Sequence, residues 1–269
     1  RTGTGDVDVD RPVRGLGDQG TPLDTPDAHV TVGRLGHDPG VRVVEAVNPT
    51  TFAKSRKTGG EAAHVRATME QDGAALCEFF AWLEATLQDP QREPLTEVAI
   101  DRHITAARAR RPGFVSPSFG TIAGFNANGA IMHYRATEES HAVIEGDGLL
   151  LIDSGGQYLG GTTDITRVVA VGDISAAHRR DFTLVLKGMM ALSMAHYPRG
   201  TRSPLLDAIA RAPIWAAGID YGHGTGHGVG YFLNVHEGPQ LISPSAAPDP
   251  HTAMESGMIS SSEPGSYRP

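Results

Sequence analysis

The sequence predicts a mixed domain of the α/β or α+β class. Stretches with apolar residues at helical spacing alternate along the chain with short apolar or β-branched runs that are typical of strands. The chain has 269 residues, of which 39% are hydrophobic, and this is enough to bury the core of one large domain.

The N-terminal part, residues 1–52, is rich in Gly, Asp and Pro and is predicted to be a linker or the remnant of a preceding N-terminal domain. Within it, only residues 41–47 have the pattern of a short strand. The main domain is predicted to occupy residues 53–269. Because the chain begins with Arg1 rather than Met and stops at Pro269 just after a dense motif, we expect a fragment that is incomplete at its C-terminus.

Two helices are predicted before the first strands. Residues 96–110 begin at a Thr-type cap and end before Pro112. The longer helix, residues 60–87, ends before Pro90 and carries an apolar face formed by Leu76, Phe79, Phe80, Leu83 and Leu87.

Three short strands are predicted in the middle of the chain. Residues 130–136 ("AIMHYRA") and 148–156 ("GLLLIDSGG") are the first two, and the second is a buried apolar run that ends in an acid. A Gly-rich turn at 155–161 leads to the β-branched run at 162–171 ("TTDITRVVAV"). The last two strands are expected to pair as a hairpin.

Two further helices are predicted after the strands. Residues 203–215 begin with Ser203 as the cap and Pro204 in the first turn. Residues 175–196 carry an apolar face that is expected to be core, formed by Phe182, Val185, Leu186, Met189, Leu192 and Ala195.

Composition argues against several classes of function. The net charge is −8 and the Lys and Arg residues are scattered, so no nucleic-acid partner is expected. A single cysteine, Cys77, excludes an internal disulfide and fits a reducing compartment. No apolar run reaches the roughly 18 residues of a membrane span, and no secretion signal is present. These observations predict a cytoplasmic protein without a membrane partner.

Two acids lie on either side of the turn in the predicted hairpin. Asp153 closes the apolar strand, and Asp164 follows eleven residues later near the start of the paired strand. Two carboxylates within a few Å repel each other unless a proton or a cation lies between them. The alternative is a pair of turn-flanking acids that cap backbone N–H groups, and the two residues alone do not decide between these interpretations.

A histidine-rich segment, residues 223–236 ("HGTGHGVGYFLNVH"), supplies other potential ligands. Glycine fills three of the five positions after His223, so the segment cannot form a stable helix. The glycines let the backbone approach its neighbours closely and adopt positive φ, so each imidazole can be aimed from a strand or a bend. Three histidines in fourteen residues, followed by Glu263, favour a functional site over isolated structural histidines.

Four separated motifs carry a resemblance to a known family. "IMHY", "LLIDSGGQYLGGTTDITR", "HGTGHGVGYFLNVHEGP" and "SEPGSYRP" resemble, in order, the signatures of the Xaa-Pro aminopeptidases, within the creatinase, prolidase and methionine aminopeptidase superfamily. The resemblance runs from Phe52 to Pro269. It implies the pita-bread fold, in which two pseudo-symmetric α/β halves enclose a dinuclear metal site that commonly holds manganese. Longer members of the family carry further N-terminal domains.

The resemblance also implies roles for seven residues. Glu263 would shuttle protons as well as bind metal, His223 and His236 would donate to the developing oxyanion or hold the substrate carbonyl, and His133 would shape the proline pocket. The matching metal ligands are Asp153, Asp164, His227 and Glu263, and the histidines that line the substrate site are His133, His223 and His236.

The resemblance implies two divalent ions and a peptide substrate with proline second. Carboxylate-rich ligation with one imidazole suits Mn²⁺ better than a structural Zn²⁺ site. Two such ions would lower the pKa of a bridging water, and the hydroxide would attack the carbonyl before proline. The family's fifth ligand is a second Glu beyond Glu263, and the chain ends before it, so we expect an impaired second site. Relatives are often homodimers, which makes a homodimer an expectation by analogy.

Three alternatives remain. A prolidase would cleave only dipeptides, but its motif places the last histidine closer to the ligand histidine than the nine residues that separate His227 from His236. A creatinase-type hydrolase would need no metal ligands. A catalytically inactive peptide-binding homologue would be expected to have lost its ligands, whereas four of the five are retained.

Overall fold

A computed structural model describes residues 47–246 and 249–267. Its first element is helix α1, Pro49–Ser55, which begins after Asn48 as the N-cap. Residues 41–46 of the predicted strand at 41–47 lie outside the described residues. The predicted boundary between residues 52 and 53 falls inside α1.

Two capped helices follow, and both confirm their predictions. Helix α2 spans Gly59–Gln88 and begins with a capping box, in which the Thr58 hydroxyl accepts from the Glu61 amide and the Glu61 carboxylate accepts from the Thr58 amide. Helix α3 spans Glu97–Ala109, and the Thr96 hydroxyl caps it by accepting from the Ala99 amide.

Within residues 47–246 and 249–267, eight short strands form three antiparallel sheets. Their order is β2-β3-β6 in the central sheet, β1-β4-β5 in the second and β7-β8 in the third. The strands are β1 (Phe114–Pro117), β2 (Ile122–Phe125), β3 (Gly148–Ser154), β4 (Gly156–Tyr158), β5 (Gly161–Thr162), β6 (Ile165–Val171), β7 (Gly226–His227) and β8 (Leu241–Ile242).

The larger core lies between the central sheet and the helices α2 and α3. Burial of these apolar side chains is the main favourable contribution to folding of this half. The fully buried members include Phe79 and Leu83 from α2, Ile100 and Ile104 from α3, and Leu150 and Ile152 from β3.

The predicted hairpin is confirmed, with one addition. Strands β3 and β6 pair antiparallel, with Asp153 opposite Thr166. The segment predicted as a plain Gly-rich turn contains β4 and the start of β5, which pair with each other. The connection between the two long strands is therefore itself a small hairpin, which packs on β1 and α2.

The strand predicted at residues 130–136 is wrong. A 3₁₀ helix spans Asn126–Ala130, and irregular turns follow, with His133 at φ 56°. Ile131 and Met132, the apolar residues that suggested a buried strand, are exposed. The segment instead wraps around the buried carboxylate of Glu97, which binds Asn128 and Tyr134 from this loop.

The two later helices are confirmed in position but differ in detail. Helix α4 spans Ala176–Ser193 with Ser175 as its cap, and α5 spans Asp207–Trp215 after a 3₁₀ turn at Ser203–Leu206. The predicted cap is wrong, because the Ser203 hydroxyl donates to the Leu241 carbonyl oxygen instead.

The apolar face of α4 is only partly core. Leu192 is buried, but Phe182 is 49% and Leu186 is 41% exposed. The helix approaches α5 through Gly188, where a Cβ would lie 2.3 Å from the Ala210 carbonyl oxygen. This close contact buries one side of α4, and the described residues place no second layer over Phe182 and Leu186. Within the part of the chain that is described, no helix is long and apolar enough to cross a membrane.

Candidate metal centre

A cavity of about 280 Å³ lies where the end of β3, the segment before β6, strand β7 and residues 259–263 meet. It gathers side chains from positions far apart in the sequence. Six of the seven predicted site residues line it: His133, Asp153, Asp164, His227, His236 and Glu263.

The two aspartates reach the cavity from neighbouring strands. Asp153 is the next to last residue of β3, and Asp164 immediately precedes β6. Asp153 Oδ1 is buried and has no hydrogen-bond partner among the described residues. A buried carboxylate oxygen without a donor is costly, and a cation would satisfy it.

His227 and Glu263 arrive on adjacent extended segments. The Ser261 amide donates to the His227 carbonyl oxygen (2.9 Å), and the Glu263 amide donates to the Thr225 carbonyl oxygen (2.6 Å). On the other side, β7 pairs with β8. The chain around His227 is thus held between two neighbours, and this fixes where the imidazole points.

The glycines of the histidine segment permit this close packing. A Cβ on Gly226 would lie 2.3 Å from the Ser261 carbonyl oxygen, and a Cβ on Gly228 would lie 1.9 Å from the Glu237 carbonyl oxygen. Neither glycine has positive φ. The expectation of close approach is confirmed at these two positions, whereas the expectation of positive φ is wrong.

The imidazole of His227 faces two carboxylates with one nitrogen. Its Nδ1 donates to the Gly228 carbonyl oxygen (2.9 Å), and its Nε2 lies 3.3 Å from Asp164 Oδ2 and 3.1 Å from Glu263 Oε1. These three residues can each offer one ligand atom within 4.8 Å of the others, and this group does not include Asp153. Nδ1 is already used by the backbone, so Nε2 is the nitrogen available to a metal.

The electrostatics of the metal-free cavity reflect the crowding of acids. Burial and the neighbouring Asp164 raise the pKa of Asp153 to about 7. Burial opposes the charged form of His227, but the close Asp164 and Glu263 carboxylates outweigh it and raise its pKa to about 10. Burial also acts against the charged form of Glu263, yet the close contact with His227 lowers its pKa. Without metal, protons therefore supply the positive charge that balances the acids.

This donor set fits a hard divalent cation. Carboxylate oxygens with one imidazole are ligands suited to Mn²⁺, and the only cysteine in the chain, Cys77, is exposed and does not line the cavity. The orphaned Asp153 oxygen and the Nε2 that faces two carboxylates both point to a cation between these groups.

The three substrate-side histidines have different positions. His133 and His236 are exposed residues that line the cavity, and the His236 ring packs edge-on against His227 with the centroids 4.2 Å apart. His223 does not line the cavity. Its Nδ1 donates to the Gly224 carbonyl oxygen, so Nε2 accepts from the Tyr267 hydroxyl at 2.8 Å. Burial lowers the pKa of His223, which keeps this ring neutral.

Sequence reasoning missed the residue that organises the His133 loop. Glu97 is fully buried on α3, and its carboxylate accepts from the amides of Phe125 and Ala142 (both 2.7 Å), from Asn128 and from the Tyr134 hydroxyl (2.8 Å). In the sequence, Glu97 is indistinguishable from an ordinary acid in the first turn of a helix. Its role depends on contacts that no local pattern shows.

A second missed group lies behind the aspartates. Arg108 donates to both carboxylate oxygens of Asp72 (2.7 and 3.1 Å) and to the Ser154 carbonyl oxygen next to Asp153. Thr163, which precedes Asp164, donates to Asp72 at 2.9 Å. This buried network connects α2 and α3 to the backbone that carries both aspartates.

Glu237 follows His236 but faces away from the metal candidates. Lys57 Nζ lies 2.6 Å from Glu237 Oε1, and Lys54 Nζ lies 3.1 Å from Oε2. Both carboxylate oxygens are therefore paired with lysines from the segment around α1. This acid is therefore engaged by the lysines and is not part of the metal-candidate group.

The cavity of this mixed α/β fold brings together three carboxylates and the His227 imidazole. Such a set of side chains is typical of a metal-binding protein. The chain belongs to metallopeptidase family M24, whose model matches residues 63–269. The architecture is the pita-bread fold of this family.

Relatives support this assignment. The chain is 44% identical over 220 residues to "Aminopeptidase P2" of Arabidopsis thaliana, an alignment that covers 82% of this chain and 30% of that protein. It is 45% identical over 228 residues to "Probable Xaa-Pro aminopeptidase P" of Pyricularia oryzae, covering 84% of this chain and 36% of that protein. The chain thus spans about a third of the length of these relatives.

A solved structure shows the same fold. The X-prolyl aminopeptidase from Caenorhabditis elegans, described as a cytosolic enzyme with a di-nuclear active site, superposes with a TM-score of 0.76 at 34% identity. The match covers 82% of this chain and 35% of that one.

Proposed function

We propose that the protein is a metal-dependent aminopeptidase that releases the N-terminal residue from peptides with proline in the second position. The observation that carries the proposal is the cavity in which Asp164, His227 and Glu263 offer ligand atoms within 4.8 Å of one another. Relatives named as Xaa-Pro aminopeptidases supply the substrate class.

The metal ligands in this proposal are Asp153, Asp164, His227 and Glu263, and the metal is Mn²⁺ at a site for two ions. The carboxylate-rich donor set supports a hard cation, and the di-nuclear site of the C. elegans enzyme supports the number. Ions held there would supply Lewis-acid activation of water and of the scissile carbonyl group. Asp164, His227 and Glu263, whose ligand atoms lie within 4.8 Å of one another, would hold the first ion.

The remaining roles belong to the chain's own residues. Glu263 has one carboxylate oxygen 3.1 Å from His227 Nε2, and we assign it the proton transfer from water to the leaving amine. His236 lies at the cavity wall and donates to the oxygen that becomes negative in the transition state. His133, together with the apolar side chains of Phe119 and Ile122, forms the proline pocket.

We assign His223 the same role as His236, that of a donor to the substrate oxygen. In this role, His223 would have to give up its present hydrogen-bond partner. Its Nε2 accepts from Tyr267, and burial and the nearby Glu263 raise the pKa of this tyrosine to about 12, so the hydroxyl stays protonated. For His223 to hold the substrate carbonyl group, the ring must leave Tyr267 and present an N–H.

The prolidase alternative is not favoured. The relatives at 44 and 45% identity are named aminopeptidases. The spacing of nine residues from His227 to His236 is also longer than the resemblance implies for a prolidase. An inactive peptide-binding homologue is the second candidate of a different class, and the retained acids in the cavity argue against it.

Three wider statements belong to the same proposal. The location is cytoplasmic, by likeness to the C. elegans enzyme described as cytosolic. The assembly is a homodimer without nucleic-acid or membrane partners. We infer that residues 1–52 are a linker or the remnant of a preceding N-terminal domain, and that residues 53–269 are the metallopeptidase domain.

The direct test is hydrolysis by the natural gene product that contains this sequence, loaded with Mn²⁺. Ala-Pro-Ala and Ala-Ala-Ala are supplied separately, and the released alanine is quantified. We expect cleavage of the proline peptide and almost none of the other. Equal rates would indicate a general aminopeptidase, and peptide binding without hydrolysis would indicate the inactive homologue. Asp164→Asn serves as the inactive control.

A further inference from the structure

The lining of the cavity includes an arginine that the proposed mechanism does not use. Arg135 lines the same cavity as Asp153, Asp164 and His227, and its side chain is exposed there. Among the described residues that line this cavity, it is the only Arg or Lys. We propose that Arg135 binds a carboxylate of the substrate on the leaving-group side of the cleaved bond. This inference rests on the proposed function.

The guanidinium of Arg135 packs against the protein backbone. It lies against the backbone of Gly120, where a Cβ would come within 2.8 Å of Nη1 and 2.9 Å of Cζ. Only a residue without a side chain leaves room for the guanidinium at this distance. A side chain at position 120 would therefore push the guanidinium out of this position.

The loop that carries Arg135 is held in place by the buried carboxylate of Glu97. The neighbouring Tyr134 donates its hydroxyl to the fully buried carboxylate of Glu97 at 2.8 Å, and Asn128 contacts both groups. A charged side chain on an anchored loop is pre-organised, so less ordering free energy is lost when a ligand binds.

The charge of Arg135 is not used within the described residues. Its guanidinium makes no hydrogen bond or ion pair there, although three carboxylates line the same cavity. Guanidinium has five N–H donors in a fork that matches a carboxylate with two parallel hydrogen bonds. An unpaired guanidinium that lines a peptide-binding cavity is therefore suited to bind a carboxylate of the ligand.

The size of the cavity limits where this carboxylate sits. A volume of about 280 Å³ holds only a short piece of peptide around the cleaved bond. The carboxylate must therefore lie close to the proline, either as the free C-terminus of a short peptide or as the side chain of an acidic residue after proline. Both present the same group to Arg135, and both make short or acidic Xaa-Pro peptides the preferred substrates.

The test measures product binding to the Mn²⁺-loaded natural gene product by calorimetry. The probes are Pro-Ala, Pro-Ala amide and Pro-Glu amide, which are not cleaved and which separate a terminal carboxylate from a side-chain carboxylate. For wild type, we expect at least one carboxylate probe to bind about tenfold more tightly than Pro-Ala amide, the magnitude of one charged hydrogen-bond pair.

Variants connect this preference to the arginine. Arg135→Gln should abolish the preference, Arg135→Lys should keep part of it, and Gly120→Ala should reduce it while the charge is retained. Arg199→Gln changes an exposed arginine that does not line the cavity and should leave the preference unchanged.

Two results would overturn the inference: no carboxylate preference in wild type, including no binding of any probe, or a preference that survives Arg135→Gln. Hydrolysis of Ala-Pro-Ala amide separates this failure from failure of the proposed function, because that peptide carries no carboxylate. If wild type cleaves the amide but shows no preference, only the role of Arg135 is wrong. If wild type does not cleave the amide, the aminopeptidase assignment itself is wrong.

Discussion

At the scale of single residues, protons occupy the cavity when metal does not. His227 lies between Asp164 and Glu263, and these contacts raise its pKa to about 10 despite burial. Burial and Asp164 raise the pKa of Asp153 to about 7. A metal requires both ligands in their deprotonated forms, so its binding must displace these protons.

This linkage predicts a pH-dependent Mn²⁺ affinity. Below pH 7, both Asp153 and His227 are protonated in the metal-free protein, so binding releases about two protons, and affinity rises steeply with pH. Between pH 7 and 9, only His227 is still protonated, and the slope falls to about tenfold per pH unit. Titration calorimetry in buffers of different ionisation enthalpy measures the protons released. An affinity that is constant from pH 6 to 8 would show that these groups are not the ligands.

The residues that sequence could predict are those in short motifs. Asp153, Asp164, His227 and Glu263 stand in recognisable patterns, and the structure places all four around one cavity. Glu97 could not be predicted, because its meaning depends on a loop that begins almost thirty positions later in the chain. Arg135 lies two positions after the predicted His133, and an arginine so close to a substrate-site residue was a usable signal.

At the scale of elements, the glycines around β7 decide whether the site can form. Gly226 and Gly228 let residues 259–263 and 237–240 approach β7 from its two sides. The sequence predicted both close approach of the backbone and positive φ for these glycines, and only the close approach is observed at Gly226 and Gly228. The sequence pattern is the same whether glycine provides positive φ or space for neighbouring backbone, so only the packing in the structure distinguishes the two roles.

Gly228→Ala tests this element. A Cβ would lie 1.9 Å from the Glu237 carbonyl oxygen, so backbone must move and His227 must shift with it. We expect a loss of about 1–3 kcal/mol in the free energy of unfolding and weaker Mn²⁺ binding.

The matched control is Gly73→Ala in the interior of α2, where a Cβ would meet nothing within 4 Å. It should raise stability by about 0.5–1 kcal/mol, because alanine favours the helix. Both values are read from urea denaturation. A Gly228→Ala protein as stable as wild type, with wild-type Mn²⁺ affinity, would contradict the packing account.

At the scale of the whole molecule, one buried ion pair connects the helices to the metal candidates. Asp72 on α2 and Arg108 on α3 are both fully buried, and their network extends to Ser154, Tyr158 and Thr163. The order of helices and strands was predictable from periodicity, because apolar spacing is local. This pair was not, because its partners are 36 positions apart and each alone resembles a surface charge on a helix.

Breaking this pair should be costly. Asp72→Asn leaves the buried guanidinium without its counter-charge, and we expect a loss of about 3–5 kcal/mol in the free energy of unfolding. The double substitution Asp72→Asn with Arg108→Met should recover part of that loss, since no unpaired charge remains. Chemical denaturation of the two single variants and the double variant measures the coupling. Additive losses would mean that the two residues do not act as a pair.

The central claim is that Asp164, His227 and Glu263 form a divalent metal site, and titration of the 269-residue chain with Mn²⁺ at pH 7.5 tests it most directly. Wild type, His227→Ala and His251→Ala are compared by calorimetry. His251 is a matched control, because it also contacts a carboxylate, that of Asp249, but does not line the cavity. We predict one tight site in wild type and in His251→Ala, and an affinity at least 10- to 100-fold lower in His227→Ala. Equal Mn²⁺ affinity in wild type and His227→Ala, or no binding by wild type, would contradict the account.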